Sequence, residues 1–217
     1  MSAPFEMHDY FVTCATGIEP MLADELRAMR THSVRPQRAG VLCKGTTKDA
    51  YRICLWSRLA SRVLYSLGDV NASSAETLYE AIKAMPWEDH LSANGTFIIQ
   101  TTGTNDSLRN TQFTNVKIKD AIADRFRELF DRRPSIDTVT PDIVINVLVR
   151  DNKARLSLDL SGEPLHRRGY RQEGLQVAAP MKETLAAAML MVAEWPRIAN
   201  EGGAFVDFMC GSATLPL

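Results

Sequence analysis

The sequence predicts an α+β fold built from two small domains, and two observations carry that prediction. The first 70 residues alternate β-rich runs with amphipathic helical runs in the order β-α-β-β-α-β. The next stretch, to about residue 161, contains helical runs around a buried strand and ends in two alternating strands. The first order is typical of the ferredoxin-like arrangement, in which two helices cover one face of an antiparallel sheet.

The first domain is predicted to contain four strands and two helices. The strands share a β-rich composition and lie at 10–16, 33–37, 40–45 and 62–70. The helices have apolar residues at the spacing of one helical face and lie at 17–30 and 47–56. In the second helix, Ala50, Ile53 and Cys54 are expected to face inward.

The second domain is predicted to begin near Ser73, because SSAETLYEAIKAM offers a serine cap to an amphipathic helix. A buried strand at 95–103 and a long helix from about 106 to 131 follow. The apolar side chains of the long helix that are available for the core are Phe113, Val116, Ile122, Phe126 and Phe130.

Two alternating strands, at 141–150 and 154–161, end the second domain. Asp151-Asn152-Lys153 between them is a hairpin signal. Residues 162–179 show no helical or strand period and are predicted to be a linker.

The last part of the chain is predicted to form a helix and a strand. Pro180 suits the first turn of a helix that continues to about Trp195. The apolar run ending in Asp207 then predicts a strand that leads into a turn of small residues. Such a turn lets a nucleotide-type cofactor approach backbone N–H groups, although many purely structural strands also end in Gly-Ser turns.

Composition indicates an ordinary globular protein: 217 residues, a net charge of −1, 45% hydrophobic and 24% charged residues. No apolar run approaches the roughly 18 residues needed to cross a bilayer, and the N-terminus lacks a signal peptide pattern. We therefore expect a cytoplasmic protein without membrane attachment. The four cysteines contain no CxxC pair and the four histidines are not spaced to join them, so no metal site is expected.

Two blocks in this sequence resemble a methyltransferase family. DFMCGSAT at 207–214 is similar to the DPxCGSGT signature of the family formerly described as N6-adenine-specific DNA methylases, and APMKETLAAAML at 179–190 is similar to its PxKETLAA helix. Further segments resemble the large-subunit rRNA guanine-N2 methyltransferases of the RlmL or RlmKL type; they lie at 14–26, 55–64, 104–122 and 156–171. In that family these segments precede the catalytic domain and include a THUMP domain, an RNA-binding module.

The resemblance implies four parts. They are a ferredoxin-like domain at 1–70, a THUMP domain at 71–161 (or from near 45 by the family's usual boundary), a linker at 162–179, and a truncated start of a Rossmann-like methyltransferase domain at 180–217. That last part would supply the first helix and the first strand of the catalytic fold. The family's NPPY-type motif is absent from the sequence, so we expect no catalytic residue in this chain.

The resemblance also implies S-adenosylmethionine as the cofactor of the full-length enzyme. The residues it assigns to the cofactor are Lys182, Glu183, Asp207, Cys210, Gly211 and Ser212. Two positions depart from the family pattern, since Phe208 replaces proline and Ala213 replaces glycine. If Ala213 must take a positive φ, its Cβ costs about 1–2 kcal/mol. We expect that this chain alone does not bind the cofactor.

Without neighbouring strands, the predicted final strand would leave its N–H and C=O groups unpaired. We therefore expect residues from about 200 onward to be poorly ordered or to pair with another molecule.

Two clusters are candidates for RNA contact. Along the long helix these are Asn105, Arg109, Asn110, Lys117 and Lys119. The alternative is that such charges are balanced by acids three or four residues away, the interpretation favoured for Arg125 and Arg127.

The second cluster is the linker sequence HRRGYR, with Arg167, Arg168, Tyr170 and Arg171, which suits phosphate contacts and base stacking. The same arginines could instead dock the linker against the missing catalytic domain.

The leading hypothesis is an RNA-recognition region of an S-adenosylmethionine-dependent 23S rRNA (guanine-N2) methyltransferase, inactive alone, whose partners are structured large-subunit rRNA and the missing catalytic domain. One alternative is a stand-alone RNA-binding or assembly adaptor whose final strand completes a partner's sheet. Another is a fragment of a DNA adenine-N6 methylase.

Overall fold

The computed structural model describes residues 6–169, 181–211 and 213–216. The chain divides into two compact units, Met1–Val63 with Glu163–Leu217, and Leu64–Gly162. Pro180 and the predicted linker residues after Gly169 lie outside the described residues. None of the helices in the described ranges is long and apolar enough to cross a membrane.

The first unit confirms the predicted β-α-β-β-α-β order. Its elements are β1 (His8–Thr13), α1 (Glu19–Ala28), β2 (His32–Gln37), β3 (Gly40–Gly45), α2 (Thr47–Trp56) and the first residues of β4 (Arg62–Asn71). The strand order is β2-β3-β1-β4, with β3 antiparallel to both β1 and β2. This is the ferredoxin-like arrangement.

The core of the first unit lies between the helices and one face of the sheet. Its buried side chains come from β1 and β3, from α1 and from α2; they are Tyr10, Val12, Val41, Cys43, Leu22, Leu26 and Ile53. Burial raises the pKa of the Cys14 thiol to about 11 and that of Cys43 to about 12. Both cysteines are therefore protonated thiols at neutral pH.

Local capping explains where α2 begins. The Thr46 hydroxyl accepts a hydrogen bond from the Asp49 N–H, and the Asp49 carboxylate accepts one from the Thr46 N–H at 2.9 Å. This reciprocal pair satisfies two backbone donors that a helix otherwise leaves without partners.

The second unit contains the rest of β4 and the elements that follow it. These are α3 (Ala75–Lys83), β5 (Thr96–Thr102), α4 (Thr111–Phe130), β6 (Ser135–Ile136), β7 (Ile143–Arg150) and β8 (Lys153–Asp159). The strand order is β4-β8-β7-β5-β6. β5 runs parallel to β6 and β7, whereas β8 is antiparallel to β4 and β7.

The second unit has an extensive apolar core between α3, α4 and the sheet. Leu78 and Ile82 of α3, Phe97 of β5 and Phe126 of α4 are fully buried. Trp87 is also buried, and its indole Nε1 donates to the Ile82 carbonyl at 2.7 Å. The predicted serine cap is confirmed one residue on, at Ser74, which starts α3 through a capping box with Thr77.

The predicted β-hairpin of the second unit is confirmed. β7 and β8 pair from Ile145–Leu158 to Arg150–Lys153, with Asp151 and Asn152 in the turn. Asp151 has a φ of 54°, as a two-residue turn between twisted strands requires.

The prediction for α4 was wrong in part. The helix begins at Thr111, not near residue 106, because Asn110 caps it. Of its five proposed core residues, Ile122 and Phe126 are buried, whereas Phe113, Val116 and Phe130 are about half-exposed. The buried stripe instead follows Thr114, Ile118, Ala121, Ile122 and Phe126. Phe113 lies one residue and Val116 two residues from Thr114 in that stripe. Their side chains are therefore rotated away from it by about 100° and about 200° around the helix axis.

The two units meet in the chain within β4. The division falls between Val63 and Leu64, inside this strand, and the boundary placed after residue 70 from the sequence stays a prediction. The periodicity of the sequence indicates where β4 ends. It does not indicate at which residue of β4 one compact unit gives way to the other.

After the linker, the described chain contains two helices, α5 (Glu183–Val192) and α6 (Trp195–Asn200). Glu194 between them has a φ of 53° and interrupts the single helix that the sequence predicted. The predicted final strand is wrong: residues 204–207 form no strand, and among the described residues β8 is the last strand. An extended segment without a paired neighbour has no ladder hydrogen bonds to hold it as a strand.

Candidate nucleic-acid interface and cofactor loop

Asn105 is a structural clamp in the second unit. Its Nδ2 donates to the Ala72 carbonyl at 2.8 Å and to the Asp151 carbonyl at 2.7 Å. Its Oδ1 accepts from the N–H groups of Ser107 at 3.0 Å and Leu108 at 2.7 Å. Both amide protons and the oxygen are thus used inside the protein, joining three loops. RNA contact through Asn105 would compete with these bonds.

Asn110 begins α4. Its Oδ1 accepts from the N–H groups of Gln112 at 2.8 Å and Phe113 at 3.2 Å. No acidic residue lies in the first turn of this 20-residue helix. The helix dipole places partial positive charge at this end of α4, although the Asn110 side chain already accepts from two of its first N–H groups.

Basic and aromatic side chains surround the N-terminal half of α4; Arg109 and Phe113 are exposed, and Lys117 is partly buried. Arg109 is exposed, and its Nε donates to the Asp106 carbonyl at 2.8 Å. The Lys117 Nζ lies 5.7 Å from the centroid of the Phe113 ring. Lys119 pairs with Asp120 at 2.9 Å. We call Arg109, Phe113 and Lys117 the α4 basic patch.

The C-terminal half of α4 differs, because its arginines are held in ion pairs. The Arg125 Nε donates to the Glu88 carboxylate at 2.7 Å, and the Arg127 guanidinium to Asp124 at 3.0 Å. Arg125 lowers the pKa of Glu88 to about 2. The interpretation that acids three or four residues away balance these charges describes the Arg127 contact, whereas Arg125 pairs with an acid 37 positions away in the chain.

Arg168 ties the linker to α2. Its guanidinium donates to the carbonyls of Cys54 at 2.9 Å, Leu55 at 3.1 Å and Ser57 at 2.8 Å. These carbonyls end a helix, where the dipole favours a cation. The Leu165 N–H also donates to the Ser61 carbonyl at 2.9 Å, and the Leu165 side chain is buried. The linker residues 165–168 are thus docked on the ferredoxin-like domain.

The other linker candidates are less constrained by the structure. Arg167 is exposed and pairs with Glu163 at 3.3 Å. Tyr170 and Arg171 lie outside the described residues, so RNA contact through them stays a prediction.

The predicted cofactor loop is an exposed turn. The Asp207 carboxylate accepts from the Met209 N–H at 3.0 Å, and Cys210 is exposed. Ala213 has a φ of 57°, and its N–H donates to the Cys210 carbonyl at 2.7 Å. The condition stated for Ala213 is met, at a cost of about 1–2 kcal/mol for a residue with a Cβ. Ser212 lies outside the described residues.

Lys182 is the N-terminal cap residue of α5, and Glu183 lies in its first turn. Glu183 lines a cleft of about 710 Å³ together with Trp56, Arg168, Trp195 and Thr214. The cleft therefore joins Glu183 to the end of the cofactor loop, whereas Asp207 is not among its described lining residues.

The cleft does not imply a metal site. Among residues 6–169, 181–211 and 213–216, no group of three or more His, Cys, Asp or Glu side chains is placed to hold a metal ion.

Much of the apolar surface between α5 and the cofactor loop is exposed. On α5 the exposed side chains are Leu185, Met189 and Val192, and after α6 they are Val206, Phe208 and Met209. Phe208 and Met209 are 92% and 91% exposed. Surfaces of this kind mark places that other protein covers.

Three family models match the chain. They are the RlmL ferredoxin-like domain over residues 9–64, the THUMP domain over 72–159, and the RMKL-like methyltransferase domain over 168–217.

Among curated proteins, the ribosomal RNA large subunit methyltransferase K/L of Syntrophotalea carbinolica is 50% identical over 99% of this chain and 30% of its own length. The protein of the same name from Cellvibrio japonicus is 48% identical over 96% of this chain and 27% of its own length. The chain thus spans about a third or less of the curated relatives it matches.

Among solved structures, that of a predicted N6-adenine-specific DNA methylase from Listeria monocytogenes has a TM-score of 0.84 at 28% identity, over 97% of this chain and 54% of that one. SMU.472, described as a candidate methyltransferase and complexed with SAH, has a TM-score of 0.76 at 28% identity, over 88% of this chain and 50% of that one.

Phe113 is the residue of the α4 basic patch that the sequence interpretation assigned to the core. The signal that could have corrected it is the spacing of Thr114, Ile118 and Ile122, which repeats every four residues and leaves Phe113 beside the stripe.

Proposed function

The chain matches the N-terminal part of the ribosomal RNA large subunit methyltransferase K/L family, and on that premise we propose that it is the RNA-recognition region of an S-adenosylmethionine-dependent methyltransferase. In the whole enzyme, this region would hold large-subunit rRNA while a catalytic domain transfers a methyl group to a guanine N2. The chain alone binds structured RNA and transfers no methyl group.

The α4 basic patch is the observation that carries the proposal. It lies in the unit that matches the THUMP model, beside a helix start without acidic residues. Arg109 and Lys117 supply positive charge for phosphates, and the half-exposed Phe113 ring lies next to Lys117. Phosphate contacts of this type give most of the affinity for nucleic acid and position it for sequence-reading contacts elsewhere.

S-adenosylmethionine would supply the methyl group in the whole enzyme. The loop residues suit part of this role, because Gly211 has a φ of 53° and no atom close to the position of a Cβ, which leaves its backbone open to a ligand. Asp207 would accept hydrogen bonds from polar groups of the cofactor through its carboxylate. Cys210, Ser212, Lys182 and Glu183 complete the proposed set.

Two features support inactivity of the chain alone. Residues 204–207 are not paired in a sheet, so the loop that follows has no rigid base. Ala213 also holds a left-handed conformation that a residue with a Cβ adopts at a cost.

RNA binding can be tested by fluorescence anisotropy with a labelled RNA hairpin and a DNA duplex of the same length. Changing Arg109 and Lys117 together to Glu should weaken RNA hairpin binding at least tenfold. The slope of log affinity against log salt should also fall by about one for each phosphate that is no longer neutralised. Changing Arg132 and Arg133 together to Glu, with the same charge change at two exposed residues after α4, is the matched control. An affinity that stays constant between low and moderate salt, or equal binding of DNA, would contradict the proposal.

A second candidate is favoured by the exposed apolar residues at 205–209. In it, the chain is an RNA-binding adaptor whose final segment joins a sheet of another polypeptide. The adaptor and the enzyme fragment can be distinguished by mixing the chain with a separately made catalytic domain and measuring the size of the resulting complex. Restored methyl transfer to RNA supports the enzyme, whereas restored transfer to DNA adenine supports a DNA methylase.

A further inference from the structure

In the part of the chain that the structure describes, one face of the sheet of the ferredoxin-like domain lies opposite to α1 and α2. Side chains paired directly across antiparallel strands project to the same side. Asp9 pairs with Lys44, Phe11 with Leu42 and Thr13 with Gly40. The alternate residues Tyr10 and Val12 are buried in the core beneath α1 and α2, so the three pairs lie on the opposite face.

The same face continues onto the edge strand β2. There Arg35 pairs with Leu42, and Gln37 pairs with Gly40. Arg35 and Gln37 are both exposed. We call Phe11, Arg35, Gln37, Leu42 and Lys44 the sheet platform.

The Phe11 ring packs against Gly40 of the neighbouring strand β3. A Cβ placed on Gly40 would come within 2.6 Å of the Phe11 Cζ, so the ring occupies the space above the glycine backbone. The ring is half-buried and lies on a central strand of the four-stranded sheet. Covering a glycine would by itself account for an aromatic ring in this position, but the ring also has the geometry on which single-stranded RNA bases stack.

Two basic side chains and one acidic side chain lie on the platform face. Arg35 and the half-exposed Lys44 flank the Phe11–Leu42 pair. Asp9, 3.5 Å from Lys44, is the single acid on this face among the described residues of the strands. The other acids between residues 7 and 63 lie on the helices: Glu19, Asp24, Glu25 and Asp49. Arg35, Lys44 and Asp9 together give this face a net charge of +1, the sign that suits a phosphate group.

We propose that the sheet platform binds an unpaired nucleotide of RNA. The base stacks on the Phe11 ring beside Leu42, and the flanking phosphates lie near Arg35 and Lys44. The Gln37 amide can hydrogen-bond to a base edge. Stacking needs a base released from its helix, so paired RNA does not occupy this face. The inference rests on the proposed function, because it takes RNA as the ligand.

The probe for this site is a fluorescein-labelled single-stranded RNA of ten nucleotides, used with the whole chain. Phe11→Leu keeps apolar cover over Gly40 but removes the aromatic face, and should weaken binding about tenfold. Phe11→Tyr should retain the affinity of the unchanged protein. Arg35→Glu should weaken binding and lower its salt dependence, whereas Lys48→Glu, an exposed lysine on α2, should alter both much less.

Photocrosslinking of the unchanged protein gives a measurement that needs no variant. An RNA of the same length containing 4-thiouridine should crosslink to the peptides of β1 or β3. Crosslinks confined to other peptides, or full single-strand affinity in folded Phe11→Leu, would overturn the inference and leave Phe11 a cover for Gly40. In that case, loss of RNA hairpin binding on changing Arg109 and Lys117 would still uphold the proposed function. No binding of either RNA would reject both.

Discussion

Residues 64–162 and residues 181–216 differ in how completely they bury their apolar side chains. In the first region Trp87, Phe97 and Phe126 are at most 1% exposed. In the second, Phe208 is almost fully exposed and Val192 is 73% exposed. The first region forms a core of its own, whereas the second presents apolar surface that its described residues do not cover.

The helices α4 and α5 show the same difference. α4 has one buried stripe, and charged residues such as Asp124 and Arg127 pair on its outer side. α5 has one charged residue, Glu183, in ten and exposes Leu185 and Met189 on its outer side. A helix that is apolar on all sides is typical of a protein interior. The comparison teaches that matching a family model and forming a complete core are separate properties of a segment.

The largest expected effect is on the free energy of unfolding, when one phenylalanine in each region is changed to alanine. Phe126→Ala should lower the free energy of unfolding by about 3–5 kcal/mol, because it leaves a cavity in a packed core. Phe208→Ala should change it by less than about 0.5 kcal/mol, because that ring is already in water. Urea unfolding of both variants measures this. Similar losses in the two variants would show that the regions do not differ.

The next effect concerns the loop clamp of the first region. Asn105→Ala should lower the free energy of unfolding by about 1–3 kcal/mol, because it leaves the carbonyls of Ala72 and Asp151 without their donor. Chemical denaturation measures the change. Asn105→Asp retains the acceptor for Ser107 and Leu108 but removes the donor, so it serves as the partial control. A neutral Asn105→Ala would show that water replaces the amide at no cost.

A smaller effect is expected where the linker that precedes the second region docks on the ferredoxin-like domain. Arg168→Ala should increase hydrogen exchange at the Leu165 amide by about tenfold, because three carbonyls at the end of α2 then have no cationic donor. Arg168→Lys should recover only part of the protection, since an ammonium group lacks the planar fork of a guanidinium. Unchanged exchange would mean that Leu165 alone holds the linker.

The smallest effect is a pH dependence confined to the first region. Arg125 lowers the pKa of Glu88 from 4.5 to about 2. The folded state therefore gains stability from this carboxylate above pH 4.5, and loses it as the pH falls towards 2. Glu88→Gln should flatten this part of the profile of unfolding free energy against pH. Glu194→Gln removes an exposed partner of Arg197 in the second region and should leave the profile unchanged.

The sequence predicted most strands and helices because their signals are local. The Ser74 cap and the Asp151-Asn152 turn are short patterns with fixed geometry, and both occur within a residue of where they were predicted. β6, two residues long and held only by its parallel neighbour β5, has no comparable signal. The strand predicted at 204–207 failed because it depends on partners that local pattern does not supply.

The site was predictable only at the level of the element. The sequence indicated α4 as the basic helix and favoured paired charges for Arg125 and Arg127, but it could not identify Glu88 as the partner of Arg125. Partners such as Glu88 lie 37 positions away in the chain. Arg168 was expected either to contact RNA or to dock on the catalytic domain, and its carbonyl partners on α2 could be found only in three dimensions.

Because Cys14 and Cys43 are buried, a thiol reagent can label the cofactor loop selectively. Burial raises the pKa of the Cys14 thiol to about 11 and that of the Cys43 thiol to about 12, and it also shields both from reagents. Cys210, in contrast, is exposed on the loop. A maleimide fluorophore at neutral pH should therefore attach first at Cys210 and only slowly at the partly buried Cys54. Its emission would then report when a catalytic domain or a cofactor covers that turn.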